Sequence, residues 1–216
     1  MPVVIENPDK LSADKIPDAR DAIFPLQPSR ILIAGSPGCG KGNMALRIIG
    51  EHPTPYDTIT VVHLCPEETD EYKILGEHVK MREEMNLPEP EDFKRDKRNL
   101  LIIDEVSSIG KPLVWKKKLD RIMNFTSTHK NVTVLYLVQN AFDAPVGVRR
   151  ACSGFCLFKS PDTTMIKTLG RRLGIKDIHE IFDELDFGKH DSLWVDMSGY
   201  GPLLRKNLTE VIEQQD

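Results

Sequence analysis

A short apolar run, Arg30 to Ala34, stops at Gly35 and passes into Ser36-Pro37-Gly38-Cys39-Gly40-Lys41-Gly42-Asn43, and from Met44 to Ile49 the pattern turns helical. Strand, glycine-rich turn and helix follow in that order, with Gly-x-x-x-x-Gly-Lys where the strand ends. Gly35, Gly38 and Gly40 tolerate backbone angles that a Cβ resists, so successive N–H groups can turn inward around an anion. The helix behind adds the positive end of its dipole, and Lys41 adds a full charge. In this setting the pattern predicts that residues 35–43 hold the phosphates of a nucleotide. A merely flexible turn would leave Lys41 unexplained.

One position departs from the usual pattern. A hydroxyl normally follows the lysine and holds Mg²⁺. Here Gly42 and then Asn43 follow. Either a carboxylate elsewhere holds the metal with waters, or nucleotide binding is weakened.

With 216 residues the chain can build one α/β domain with a substantial core. Its 40% apolar and 29% charged residues are ordinary for a soluble globular protein. No apolar run approaches the roughly 20 residues that cross a bilayer, so no transmembrane segment is expected. The first residues lack the basic-then-apolar order of a secretory signal, and the expected compartment is cytosol-like. A net charge of −4 argues against a uniform coat of nucleic acid but leaves room for a local basic patch. Cys152 and Cys156 form a close pair with no second pair or His cluster beside them. Reduced, buried thiols fit this spacing better than zinc.

Strands are expected at about 30–35, 58–64, 99–106, 132–138 and 155–158. Helices are expected at about 41–50, 67–79, 113–128, 163–173 and 178–185. On the long helix Leu119, Ile122, Met123 and Phe125 should face the core. Residues 81–97, acidic and broken by proline, read as surface loop, and 192–196 with 203–206 as a hairpin around Gly-Tyr-Gly. The proline-studded residues 1–28 read as an extended arm, 29–208 as the folded domain and 209–216 as a tail. Strands alternating with helices predict an α/β fold: a mainly parallel central sheet, helices on both faces and a C-terminal hairpin. Ligands of such sheets lie at the carboxyl ends of the strands.

Three further features fall at that edge. The third strand ends in Asp104-Glu105. Asp104 can hold Mg²⁺, and Glu105 can polarise a water in line with the γ-phosphate. A solvated acidic turn is the plainer alternative, weakened by the phosphate loop upstream. Gln139, at the tip of the fourth strand, can bond both the γ-phosphate and the attacking water, and Asn140 would serve if the register slips by one. Arg149 or Arg150 could reach the γ-phosphate of a neighbouring subunit. Paired arginines are otherwise commonly solvated.

The order of these motifs resembles the viral genome-packaging ATPases of the FtsK/HerA superfamily, the poxvirus-type group also found in virophages and polinton-like viruses. The residues that carry the likeness run from Pro28-Ser29-Arg30 through the phosphate loop, Tyr56-Asp57 and Asn99 to Glu105. They continue through Lys130-Asn131-Val132, Tyr136 to Asn140, Pro145 to Arg149, Phe155 to Lys159 and the block Ser192 to Asn207. The match spans about 25–208.

The resemblance implies a P-loop NTPase fold of the ASCE, RecA-like kind. It implies a homo-oligomeric ring, commonly hexameric, that hydrolyses ATP with Mg²⁺ and drives double-stranded DNA into a preformed capsid. Capsid or membrane-vertex proteins are the implied docking partners, and the host-cell interior at sites of virion assembly the implied location. By position Lys41 matches the phosphate-loop lysine, Asp104 the metal-side acid, Glu105 the catalytic glutamate, Gln139 the polar sensor and Arg149 the arginine finger, with Arg150 as fallback. Apart from the resemblance, Lys111, Lys116, Lys117, Lys118 and Arg121 form a basic cluster that could face a central pore, where phosphate contacts would be salt-sensitive and blind to sequence; a solvated helix face is the plainer alternative.

Two other functions compete. A nucleoside monophosphate kinase shares the Gly after the lysine, but it needs an arginine-rich lid that 105–139 lacks. A degenerate, non-hydrolysing scaffold draws support from Gly42 alone.

Overall fold

The computed structural model describes residues 28–213 apart from 53, 54, 176 and 200. The expected arm therefore falls almost wholly outside the described residues, as do 214–216 of the expected tail.

The apolar runs form strands because each is buried on both faces, as parallel strands covered by helices must be. They are β1 (Arg30–Ala34), β2 (Thr58–His63), β4 (Asn99–Asp104), β5 (Val132–Val138) and β6 (Gly154–Phe158); β3 (Val79–Glu83), which precedes β4 in the chain, is a half-exposed edge strand. β7 (Ser192–Asp196), β8 (Leu203–Lys206) and the short β9 (Glu210–Val211) complete one nine-stranded sheet in the order β3-β2-β4-β5-β1-β6-β7-β8-β9. All pairings from β3 to β6 are parallel, and β7 to β9 are antiparallel. The mainly parallel sheet and the C-terminal hairpin are as expected, and β9 extends the hairpin to a third strand.

Alternate side chains along β1 serve the two cores. Ile31 and Ile33 join Met44, Ala45 and Ile48 of helix α1 (Lys41–Glu51) on one face. Leu32 and Ala34 join Trp115 and Leu119 of α2 (Leu113–Arg121) on the other. On that second face also lie Val148 of α4 (Val146–Ala151), Leu169 of α5 (Thr163–Leu173) and Phe182 of α6 (Ile178–Glu184).

Three expectations differ from what is found. α2 runs into a wide π turn, Ile122–Thr126, before a last turn, α3 (Ser127–His129). The extra residue in that turn rotates the sequence phase. Phe125 consequently faces out, 46% exposed and stacked on His129 at 4.2 Å, while Thr126 and Ser127 turn inward. Second, 81–97 is not all loop. Val79–Glu83 adds a parallel edge strand beside β2, and Leu87 and Phe93 are buried. The segment expected as a helix over 67–79 is a 3-10 stretch, Glu71–His78, broken at Gly76.

Candidate nucleotide-binding site

The strand order decides what can meet at the carboxyl rim. β5 lies between β1, which feeds the glycine turn, and β4, which ends in Asp104. Ala34 pairs with Val138, and the Gly35 N–H donates to the Val138 carbonyl at 3.2 Å, so Gln139 emerges beside the turn. One cavity of about 230 Å³ is lined by Pro37, Gly38, Gly40, Lys41, Gly42, Asn43, Asp104, Glu105 and Gln139, together with Glu71 and His190. The residues singled out from the sequence as lysine, acid, glutamate and sensor converge there. The cavity is smaller than the roughly 300–1,000 Å³ that encloses a drug-sized ligand.

Local backbone explains the turn. Gly38 and Gly40 have φ of +67° and +108°, values that side chains resist. Gly35 is needed for a different reason: a Cβ there would lie 2.7 Å from both Cys39 Sγ and Phe158 Cβ. Lys41 Nζ donates to the Gly35 and Ser36 carbonyls at 2.9 and 3.2 Å, folded over the loop it serves.

The carboxylates are held differently. Asp104 is 5% exposed and accepts from the buried Tyr72 hydroxyl at 2.7 Å. Burial pushes its carboxyl up, the Tyr72 bond and nearby His63 draw it down, and Glu105 and Glu71 push it up again. Burial and the Asp104 charge hold the proton on Tyr72. Glu105 stands free in the cavity mouth with φ +55°, a left-handed angle at a strand end that a non-glycine adopts at a cost. Its Oε2 lies 3.4 Å from His63 Nε2. His63 closes β2 opposite Asp104, and its Nδ1 accepts from the Cys65 N–H at 3.0 Å. The Thr69 hydroxyl lies 2.8 Å from the same nitrogen, which leaves Nε2 facing Glu105.

Gln139 is exposed in the cavity wall, whereas Asn140 is spent locally. The Asn140 side chain accepts from Phe142 N–H at 2.8 Å, and its own N–H donates to Asp143 at 3.1 Å. Of the two, Gln139 is the one that lines the cavity.

Arg149 and Arg150 lie on α4, and neither lines this cavity. The Arg149 guanidinium donates to the Phe142 and Ala144 carbonyls and lies over the Phe142 ring at 4.8 Å. Arg150 is the exposed member of the pair. In the basic cluster Lys111 pairs with Glu84 and Lys118 with Glu89, while Lys117 and Arg121 are exposed. Cys156 is fully buried, and burial pushes its thiol up to about 12. All four cysteines are free thiols.

Sequence reasoning missed Glu71, Tyr72, His63 and His190. His63 had a signal, since it ends the strand beside the one that ends in Asp104. The run Glu67-Glu68-Thr69-Asp70-Glu71-Tyr72 was acidic enough to supply the carboxylate that Gly42 called for. His190, whose Nδ1 lies 3.0 Å from the Cys39 carbonyl, is 151 positions away and had none.

A glycine turn between strand and helix, a buried acid two strands away and a sensor strand between them define a P-loop NTPase fold. No protein-family model matches the chain, and no curated protein matches its sequence. Solved structures do share its fold. The DNA-packaging ATPase of Sulfolobus turreted icosahedral virus superposes with a TM-score of 0.60 at 12% identity, covering 82% of this chain and 97% of that one. The genome-packaging NTPase of Sulfolobus turreted icosahedral virus 2, solved with AMPPCP, gives 0.57 at 11% identity over 86% and 98%. The cytoplasmic domain of the type VII secretion ATPase EccC from Thermomonospora curvata gives 0.56 at 14% identity, covering 82% of this chain and 25% of that one.

Proposed function

We propose that this chain is an ATP-hydrolysing motor that packages double-stranded DNA into a viral capsid, working as a homo-oligomeric ring, commonly a hexamer. The observation that carries the reading is the shared cavity: Lys41, Asp104, Glu105 and Gln139 face one another although nearly a hundred positions separate the first from the last. The packaging ATPases that share the fold at full length support it.

In this reading the inward N–H groups of 38–42 and Lys41 grip the β- and γ-phosphates. Lys41 exchanges its carbonyl partners for phosphate oxygens. Glu105 takes a proton from the attacking water, and Gln139 orients that water against the γ-phosphate. The donor set fits Mg²⁺, which favours hard oxygens and one or two carboxylates beside phosphates over an all-protein cage. Asp104 and Glu71, which line the same cavity as Lys41, would be the residues to hold it. When bound there, the metal would neutralise charge on the phosphate oxygens. Of the two arginines expected to act on a neighbour's nucleotide, Arg149 is engaged by the Phe142 and Ala144 carbonyls, so in this reading the exposed Arg150, the second choice from the sequence, takes that role. The exposed Lys117 and Arg121 supply sequence-blind phosphate contacts to DNA. Capsid or membrane-vertex proteins dock the ring at sites of virion assembly inside the host cell.

Phosphate release measured with ATP alone, with added double-stranded DNA and with added AMP tests the reading. The motor requires hydrolysis that DNA stimulates. ADP formed only in the presence of AMP would identify a kinase, and no turnover under any condition would leave a scaffold.

A further inference from the structure

We infer that Glu71 replaces the missing hydroxyl of the phosphate loop, so that this site holds its divalent cation between two carboxylates, Glu71 and Asp104. The inference rests on the nucleotide-site reading above and adds a residue to it.

The argument begins with an absence of volume. A Cβ built on Gly42 would lie 1.9 Å from Glu71 Oε2 and 2.9 Å from its Cδ. The Glu71 carboxylate therefore occupies the place where a serine or threonine side chain would start. Gly42 and Glu71 are complementary: the first is small where the second is present. Gly42 has no need of glycine on conformational grounds, because it sits in the first turn of α1 with no positive φ. Space is the property it supplies.

The position of Glu71 is not an accident of a long side chain. The next residue, Tyr72, is 1% exposed and donates to Asp104 Oδ2 at 2.7 Å. That bond ties the start of the 3-10 stretch to the metal-side acid and sets Glu71 in the same cavity as Asp104 and Lys41. Glu71, Asp104 and Glu105 then place three carboxylates around one small space that must also receive a triphosphate. A divalent cation between them, beside the single charge of Lys41, makes that arrangement favourable. A carboxylate offers the hard oxygen that Mg²⁺ takes from a hydroxyl, with a full negative charge in addition. The exchange has a consequence that a hydroxyl would not bring. Without metal, Glu71 repels the phosphates; with metal, it attracts the cation that bridges to them.

Binding of a fluorescent ATP analogue, measured with Mg²⁺ and again in EDTA, reads this out independently of turnover. In the wild type, Mg²⁺ is expected to tighten nucleotide binding strongly. Glu71→Gln should reduce that gain about 10–100-fold, the usual scale for disturbing a metal's supporting groups. Its affinity in EDTA should hold or improve. Gly42→Ser combined with Glu71→Ala restores a hydroxyl into vacated space and should recover most of the gain. Glu71 is exposed, so its variants should fold, and circular dichroism checks that they do.

If Glu71→Gln keeps the full Mg²⁺ gain, Glu71 is a space-filler and the inference fails. It fails equally if the wild type binds nucleotide without regard to Mg²⁺. Loss of DNA-stimulated hydrolysis, with the Mg²⁺ gain intact, would sink the motor reading alone.

Discussion

His63 Nε2 and Glu105 Oε2 face each other at 3.4 Å across the ends of adjacent strands. The Cys65 N–H and the Thr69 hydroxyl lie 3.0 and 2.8 Å from the other ring nitrogen, which fixes the orientation of the imidazole. Glu105 is thereby given a fixed direction on a backbone angle that offers little support of its own. His63→Ala should lower turnover about tenfold while nucleotide affinity stays unchanged, the split expected of a group that positions another. A change in affinity alone would assign His63 to binding.

Glu105→Gln keeps the shape and removes the base. Turnover should fall about 10²–10⁴-fold with ATP still bound. Unchanged turnover would remove Glu105 from the chemistry.

The left-handed angle at Glu105, φ +55°, carries its own stability prediction. Glu105→Gly should be more stable than Glu105→Ala by about 1 kcal/mol, reversing the order expected in ordinary backbone. Urea denaturation of the two variants measures it.

Asn99 organises the opposite rim of the sheet. Its amide nitrogen donates to the carbonyls of Lys94, Lys97 and Lys130 at 2.9, 3.0 and 2.8 Å, and the residue is buried. Asn99→Ala should cost about 1–2 kcal/mol in unfolding free energy, because the start of β4 loses the side-chain bonds that tie it to the 94–97 turn and to Lys130. Turnover per folded molecule should not change, since that rim lies away from the cavity.

Asp191 accepts from the Asn207 amide at 2.6 Å and the Gly188 N–H at 2.9 Å, which hold its carboxyl below the ordinary 3.8. A lowered carboxyl stabilises the fold above its unfolded value and loses that contribution as pH falls through the lower folded one. Asp191→Asn should therefore be less stable than wild type at neutral pH. The two should draw together below about pH 4. Thermal melts from pH 7 to pH 3 test this.

Arg150→Ala should bind ATP and turn it over poorly. Mixing it with Lys41→Ala subunits should restore activity, because each lacks what the other supplies. No recovery would confine the arginine to its own chain.

Much of this site could be read from residue order because its parts are local signals. Gly35 to Lys41 and Asp104-Glu105 each announce themselves within a few positions of a strand end, and their meeting follows from strand order. What stayed hidden depends on three-dimensional exclusion. The pairing of Gly42 with Glu71 is a fact about volume, and volume has no motif. β3 was missed because an edge strand of alternating Val79, Lys80, Met81 and Arg82 is half polar and resembles a loop. Phe125 was misplaced because one added residue in a helical turn cannot be seen in a periodicity.

His190 reaches the carbonyl of Cys39 from the segment that leads into β7, and its neighbour Asp191 is fastened to Asn207 just past β8. The rim of the glycine turn and the antiparallel border of the sheet are thus a single mechanical seam, two side chains thick. A shift of the Cys39 peptide would therefore reach the hairpin through these two side chains, without any long-range rearrangement.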